Sequence, residues 1–260
     1  MNDITKKLLS MISDISGEIK GAFNIREDGG CAGRQSTENV DIIPKVGQPG
    51  IDIIIKPNTK EKIYIPACVT KSNVDDLVYN EEKHVGIGEG TGKRIINPQT
   101  YIEMAENSYM EMDTVQIKGV DFTKRDSKAV LQANAKLVIK EKIMTHGEQY
   151  AETNFAVDLD GEDSGVDLIS RSVARGTSKQ MFRSVINGNT RCTGHSECDA
   201  IIMDKGVVSA IPELTANDID AALIHEAAIG KIAGEQLIKL MTLGLTSEEA
   251  EAKIVEGFLK

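Results

Sequence analysis

The chain has 260 residues and a formal charge of −10, from 30 Lys and Arg against 40 Asp and Glu. That balance argues against a general nucleic-acid binder, whose affinity comes mainly from basic side chains neutralising phosphates. No apolar run approaches the roughly 20 residues needed to span a bilayer, so no membrane partner is expected. Aromatics make up only 4% and Trp is absent, which leaves an aliphatic core and suits repetitive β architectures with narrow interiors.

The first 38 residues read as a helical segment. Ile4, Leu8, Met11, Ile12, Ile15 and Ile19 form a stripe at helical spacing, with Asn2 or Asp3 to cap it and Gly21 to stop it. The segment is broken by charges throughout and lacks the apolar stretch of a signal peptide. Cys31, Cys68, Cys192 and Cys198 lie far apart and form no C-x-x-C pair, so free thiols in a cytoplasmic chain are expected.

Residues 39–212 read as a β-rich core. Short runs recur at Ile51–Ile55, Lys62–Ile65, Thr114–Ile117, Lys136–Ile139, Asn154–Val157 and Val166–Ile169, punctuated by Gly, Asn, Asp or Pro. No long helical pattern separates them, which argues against a parallel α/β fold. A sandwich, a barrel and a β-helix all fit; spacing does not separate them, and no repeat aligns by eye.

Residues 213–260 form the third region. Ile219, Ala221, Leu223 and His225 alternate with other residues, a pattern that suits a strand or the opening of a helix. Gly234–Leu243 reads as a short helix with Leu237, Leu240 and Met241 on one face and Gly244 as its stop. Thr246-Ser-Glu-Glu249 is a capping box. It launches a last helix with Ala250, Ile254 and Phe258 on its apolar side.

Most catalytic motifs fail on inspection. The loop from Gly86 to Arg94 puts Ile87 where a phosphate loop needs Gly, and Arg94 where it needs Ser or Thr. It reads as a turn, so the chain is not expected to hydrolyse ATP. There is no G-x-S-x-G, and nothing local supports a Cys/His hydrolase. His84 and His146 sit among polar loop residues. A groove enzyme acting on polysaccharide would want paired carboxylates and stacking aromatics, and the aromatic content speaks against it.

One cluster concentrates thiolate, imidazole and carboxylate groups: Cys192-Thr-Gly-His195-Ser-Glu-Cys198-Asp, followed by His225-Glu226. Soft thiolates select iron–sulfur clusters, copper(I) and zinc, and imidazole suits iron and zinc. The gap from Cys192 to Cys198 is too wide for a zinc knuckle. On spacing alone, a buried structural cysteine beside a solvated His-Glu pair explains the same residues.

At these residues the sequence resembles a family. Ser196-Glu-Cys198-Asp-Ala-Ile-Ile looks like the Q-C-D-S-M-L segment of SufB proteins, and His225-Glu226-Ala-Ala-Ile-Gly230-Lys231-Ile232 resembles their H-E-A-x-x-x-K-I motif. Glu235-Gln-Leu237 and the stretch from Met241 to Phe258 are similar to the family's C-terminal signature. The N-terminal part looks like the short SufB/SufD-like proteins of anaerobic bacteria and archaea. Relative to long SufB proteins the chain is short, and the passage from Val78 to His84 is abrupt, as though β-helix turns were missing there.

This resemblance implies a mainly β fold, a right-handed parallel β-helix with a helical N-terminal segment and a C-terminal helical region that docks the ABC ATPase SufC. It implies a non-catalytic scaffold for a transient iron–sulfur cluster, later passed to acceptor proteins. Cys198, His225 and Glu226 match the family's metal- and cluster-binding positions. Because one chain carries both His225 and Glu226, a homodimer through the β-helix ends is expected, with a second SufB/SufD-like subunit as the other partner choice. Cys31, Cys192 and His195 stay auxiliary. The competing expectation is an adaptor that binds the ATPase and holds no cluster.

Overall fold

The computed structural model describes residues 24–25, 31–32, 40–44, 50–66, 95–97, 99–116 and 121–259. The helix expected over residues 3–19, the loop from Gly86 to Arg94, the passage from Val78 to His84 and Cys68 lie outside these. In chain order the strands are β1 (Asn24–Ile25), β2 (Cys31–Ala32), β3 (Val40–Pro44), β4 (Gly50–Ile55), β5 (Lys60–Pro66), β6 (Ile95–Ile96), β7 (Gln99–Met104) and β8 (Tyr109–Gln116). They continue as β9 (Phe122–Leu131), β10 (Lys136–Thr145), β11 (Tyr150–Leu159), β12 (Gly165–Ala174), β13 (Lys179–Gly188), β14 (Thr193–Ile202), β15 (Val207–Ala216) and β16 (Ala222–Gly230). Two helices follow, α1 (Gly234–Thr242) and α2 (Ser247–Phe258).

The strands wind alternately into two parallel sheets. One has the order β16-β14-β12-β10-β8-β5, the other β15-β13-β11-β9-β7-β4-β3. Only β3 runs antiparallel to its neighbour in these two sheets. The result is a β-helix of about 5 turns, the architecture the family resemblance implies.

A repeat is present after all. Lys136 pairs with Gly165, Gly165 with Thr193 and Thr193 with Ala222, steps of 29, 28 and 29 residues. It escapes inspection because the turns conserve conformation rather than one residue type. Asn58, Asn107, Asn134 and Asp163 all have φ near +57°, a left-handed conformation that Asn and Asp tolerate better than other side-chain-bearing residues. Each of their N–H groups donates to a carbonyl of the next turn, as in Asn107 N to Ala133 O at 2.8 Å. Side chains stack along another corner: Asn217 Nδ2 donates to Asn189 Oδ1, and Asn189 Nδ2 to Asp160 Oδ1, each at 2.7 Å.

Along each strand side chains alternate between the interior and solvent, so inward residues of successive turns stack in columns. Met112, Ile139 and Leu168 form one such column, all buried. Ile53, Ile102, Leu131, Phe155, Leu159 and Ile186 fill the same core. The question left open at Ile219–His225 resolves as strand, since Ala222–Gly230 adds one more parallel rung beside β14.

The last helix behaves as its sequence requires. Thr246 Oγ1 accepts from Glu249 N at 3.2 Å and Glu249 Oε2 accepts from Thr246 N at 2.8 Å, closing the capping box. Val255, Phe258 and Leu259 then pack on Met144, Val173 and Ile201 along the edge of one sheet. Helix α1 buries none of its residues, and Ile238 and Met241 stay exposed. Among the described residues no helix is long and apolar enough to cross a membrane.

Candidate functional site at the open end of the helix

The two final strands, β15 and β16, each pair on one side only, so their outer edges carry unsatisfied backbone groups. Ala210, Leu214, Ala221 and Leu223 close the core there and are only partly buried. Val207, Ile211, Ile219, Ile224 and Ile229 are exposed.

At this end the inward columns turn from apolar to polar. The column Met112–Ile139–Leu168 continues as Ser196 and then His225. The adjacent column reads Thr114, Glu141, Ser170, Cys198 and Ala227. Cys198 is 0% exposed. Burial, reinforced by the charges of Glu141 and Asp199, pushes its thiol up to about 12. His225 is half-buried, and its Nδ1 is enclosed without a hydrogen-bond partner. Cys198 and His225 therefore share the inner face of neighbouring strands.

Glu226 lies on the other face. It is exposed and pairs in register with Glu197, whose outward side chain stands beside Asp199 and His195. Burial and a hydrogen bond with Asp199 hold the Glu197 carboxyl above its usual range. His195 Nδ1 lies 2.8 Å from Asp167 Oδ1. Among the described residues no three His, Cys, Asp or Glu side chains converge to hold a metal ion. One copy of the chain thus brings Cys198 and His225 to one face and sets Glu226 on the opposite one. Cys192 is buried in the core near the same end, where burial raises its thiol.

Deeper in the interior sits a group of residues that sequence reasoning missed. Arg125 Nη1 lies 3.5 Å from Glu141 Oε1, and the two side chains are only 6% and 1% exposed. Glu141 also accepts hydrogen bonds from Thr153 Oγ1 at 2.9 Å and Ser170 Oγ at 3.1 Å. Burial weakens the charge on both partners, lowering the pKa of Arg125 and raising that of Glu141, while their attraction opposes it. Arg125 falls in the run Lys124-Arg-Asp-Ser-Lys128, where every residue is polar and no alternation marks the inward position. A polar residue flanked by polar residues carries no signal of its face. Knowing the period of 28 or 29 residues would have exposed it, because Glu141, Ser170 and Cys198 then line up.

The other sizeable concavity is a groove of about 590 Å³ on the outside of the second sheet, lined by Tyr101, Lys124, Asp126, Lys128, Asn154 and Arg183 among others. Its cations are matched within the sheet by Glu152, Asp158 and Glu213.

Comparison with known proteins fits this arrangement. The family described as SUF system FeS cluster assembly, SufBD core domain, matches residues 83–258. The chain belongs to the SufBD family. An iron–sulfur cluster assembly SufBD family protein of Archaeoglobus fulgidus is 27% identical over 244 residues, 78% of this chain and 66% of that protein. One from Methanothermobacter thermautotrophicus strain Delta H is 27% identical over 83% of this chain and 56% of its own length. A Pyrococcus horikoshii member, PH0883, is 26% identical over 95% of this chain and 76% of its own length. The chain thus spans about half to two thirds of the length of the first two relatives. As a SufBD protein it is a component of iron–sulfur cluster assembly, and Cys198, His225 and Glu226 all fall within the matched core domain.

Proposed function

We propose that this SufBD protein is a non-catalytic cytoplasmic scaffold on which an iron–sulfur cluster is built, as cargo, with ATP hydrolysed by a separate SufC-type ABC ATPase. The observation that carries the reading is the change of the inward columns to Ser196, Cys198 and His225 on the last rungs of a SufBD core. In a β-helix otherwise filled with aliphatic groups, a thiol and an imidazole at an unpaired edge are chemistry rather than packing.

In this reading two copies meet through their open ends, with a second SufB/SufD-like subunit as the other partner choice. Covering β15 and β16 satisfies exposed edges and apolar residues together. Such a junction also answers the separation within one copy, because inner-face Cys198 and His225 and outer-face Glu226 then draw on two chains. A mixed thiolate, imidazole and carboxylate set suits temporary custody, since the harder ligands exchange more readily than thiolate. Finished clusters then pass to acceptor proteins. The test is anaerobic iron and sulfide content, with visible spectra, of chain co-expressed with its ATPase. Wild type is expected to carry stoichiometric iron and sulfide, and Cys198→Ser to lose them. Colourless, metal-free protein in both that still binds the ATPase would favour the adaptor reading.

The ATPase is assigned to α1. Helix α2 spends its apolar side on the β-helix, whereas Ile238 and Met241 of α1 remain open. Ile238→Asp is expected to weaken association with the ATPase at least tenfold while leaving the melting temperature unchanged, because the side chain is already 62% exposed. Unchanged association in a pull-down titration would move the docking surface elsewhere.

A further inference from the structure

We propose that Ser196, backed by Ser184, is the positioning residue for His225. Three independent observations converge. Ser196 is the direct register partner of His225 on the adjacent strand. Both residues face inward, and Ser196 is fully buried. The ring nitrogen Nδ1 of His225 is enclosed without a partner, a state that costs about 1–3 kcal/mol for a buried polar atom.

The direction of the hydrogen bonds follows from counting donors. Ser184 Oγ and Ser196 Oγ lie 2.7 Å apart across the two sheets, and either is able to donate. If Ser196 donated to Ser184, the hydroxyl hydrogen of Ser184 would be left over in a fully buried site. With Ser184 donating to Ser196, the Ser196 hydrogen is free, and the unpartnered acceptor beside it is His225 Nδ1. The relay then uses every hydrogen, and the ring proton sits on Nε2. Histidines that bind metals are oriented by a partner on the other ring nitrogen, and here a hydroxyl stands where a carboxylate is more usual. A hydroxyl both donates and accepts, so the pair is able to reverse when the proton moves to Nδ1. His225 then keeps a partner whether or not its Nε2 is occupied.

The inference rests on the reading of His225 as a ligand, but its test needs no metal. The chain contains only four histidines, so histidine-selective 15N labelling resolves them, with His225→Gln assigning the signal. In the metal-free full chain at alkaline pH, wild-type His225 is expected to show Nδ1 displaced upfield, as an acceptor of an O–H hydrogen bond. Ser196→Ala is expected to lose that displacement and Ser196→Thr to keep it. Ser184→Ala, which removes a similar volume without removing the donor, is expected to keep it too. An identical Nδ1 shift in wild type and Ser196→Ala, with both folded, overturns the proposal. That failure would leave the iron and sulfide result with Cys198→Ser untouched, so the two readings fail separately.

Discussion

Replacing Arg125 by Met is expected to destabilise the fold by about 3–5 kcal/mol, the usual consequence of leaving a buried charge without its partner. The stranded group is Glu141, 1% exposed in its side chain and held by two hydroxyls and the guanidinium. The hydroxyls of Thr153 and Ser170 satisfy lone pairs but bring no countercharge. The pH dependence has a definite sign. In the folded wild type, burial already raises Glu141 above its ordinary value, and the charge of Arg125 acts to lower it. Without Arg125 the folded carboxyl holds its proton to still higher pH. The penalty is therefore complete where both folded and unfolded carboxyls are ionised. It fades as pH falls toward the unfolded value of about 4.3. Urea melts across that range are expected to show the deficit shrinking with acidity. The double replacement Arg125→Met with Glu141→Leu is expected to recover most of the loss. A single variant as stable as wild type at neutral pH would mean the pair is not charged in the fold.

In the metal-free chain, Cys198 is expected to react with a soluble thiol reagent at least about a thousandfold more slowly folded than unfolded. The thiolate is the reactive species. Raising the thiol from 9.0 to about 12 removes about a thousandfold of it at neutral pH. Complete burial blocks approach as well. The measurement is the labelling rate of a variant keeping Cys198 as its sole cysteine, with and without denaturant. Comparable rates in the two states would contradict the interior placement. The same shift has a stability sign. The folded chain keeps this proton between about 9 and 12, where the unfolded chain has lost it, so stability falls as pH rises through that window. Metal loading must displace the proton, so one-proton release weakens apparent affinity about tenfold for each unit of acidification.

These effects show what was legible in advance. The strands at Ile51–Ile55 and Lys136–Ile139 announce themselves through β-branched residues, and the last helix through Thr246 and Glu249, because local chemistry decides them. Strands such as β9 and β14 do not. Lys124-Arg-Asp-Ser-Lys128 and His195-Ser-Glu-Cys198-Asp199 hold few apolar residues, and their strand state comes from neighbours 28 or 29 positions away. The repeat hides because Asn, Asp and Gly serve the same left-handed turn. Cys198 and His225 were visible through motif resemblance. Their shared inward face, the opposite face of Glu226 and the hydroxyls behind His225 depend on register, which no local pattern reveals.

The two ends of the β-helix are unlike. At one the chain reverses through antiparallel β3, and at the other parallel β15 and β16 come last. Joining unlike ends would repeat the same contact with every added copy and produce a filament. Joining like ends about a two-fold axis uses both surfaces at once and stops at two. With the polar columns, Cys198 and His225 gathered at one end, a closed pair places two copies of that chemistry face to face in a single enclosed seam, whereas a filament would never bring them together.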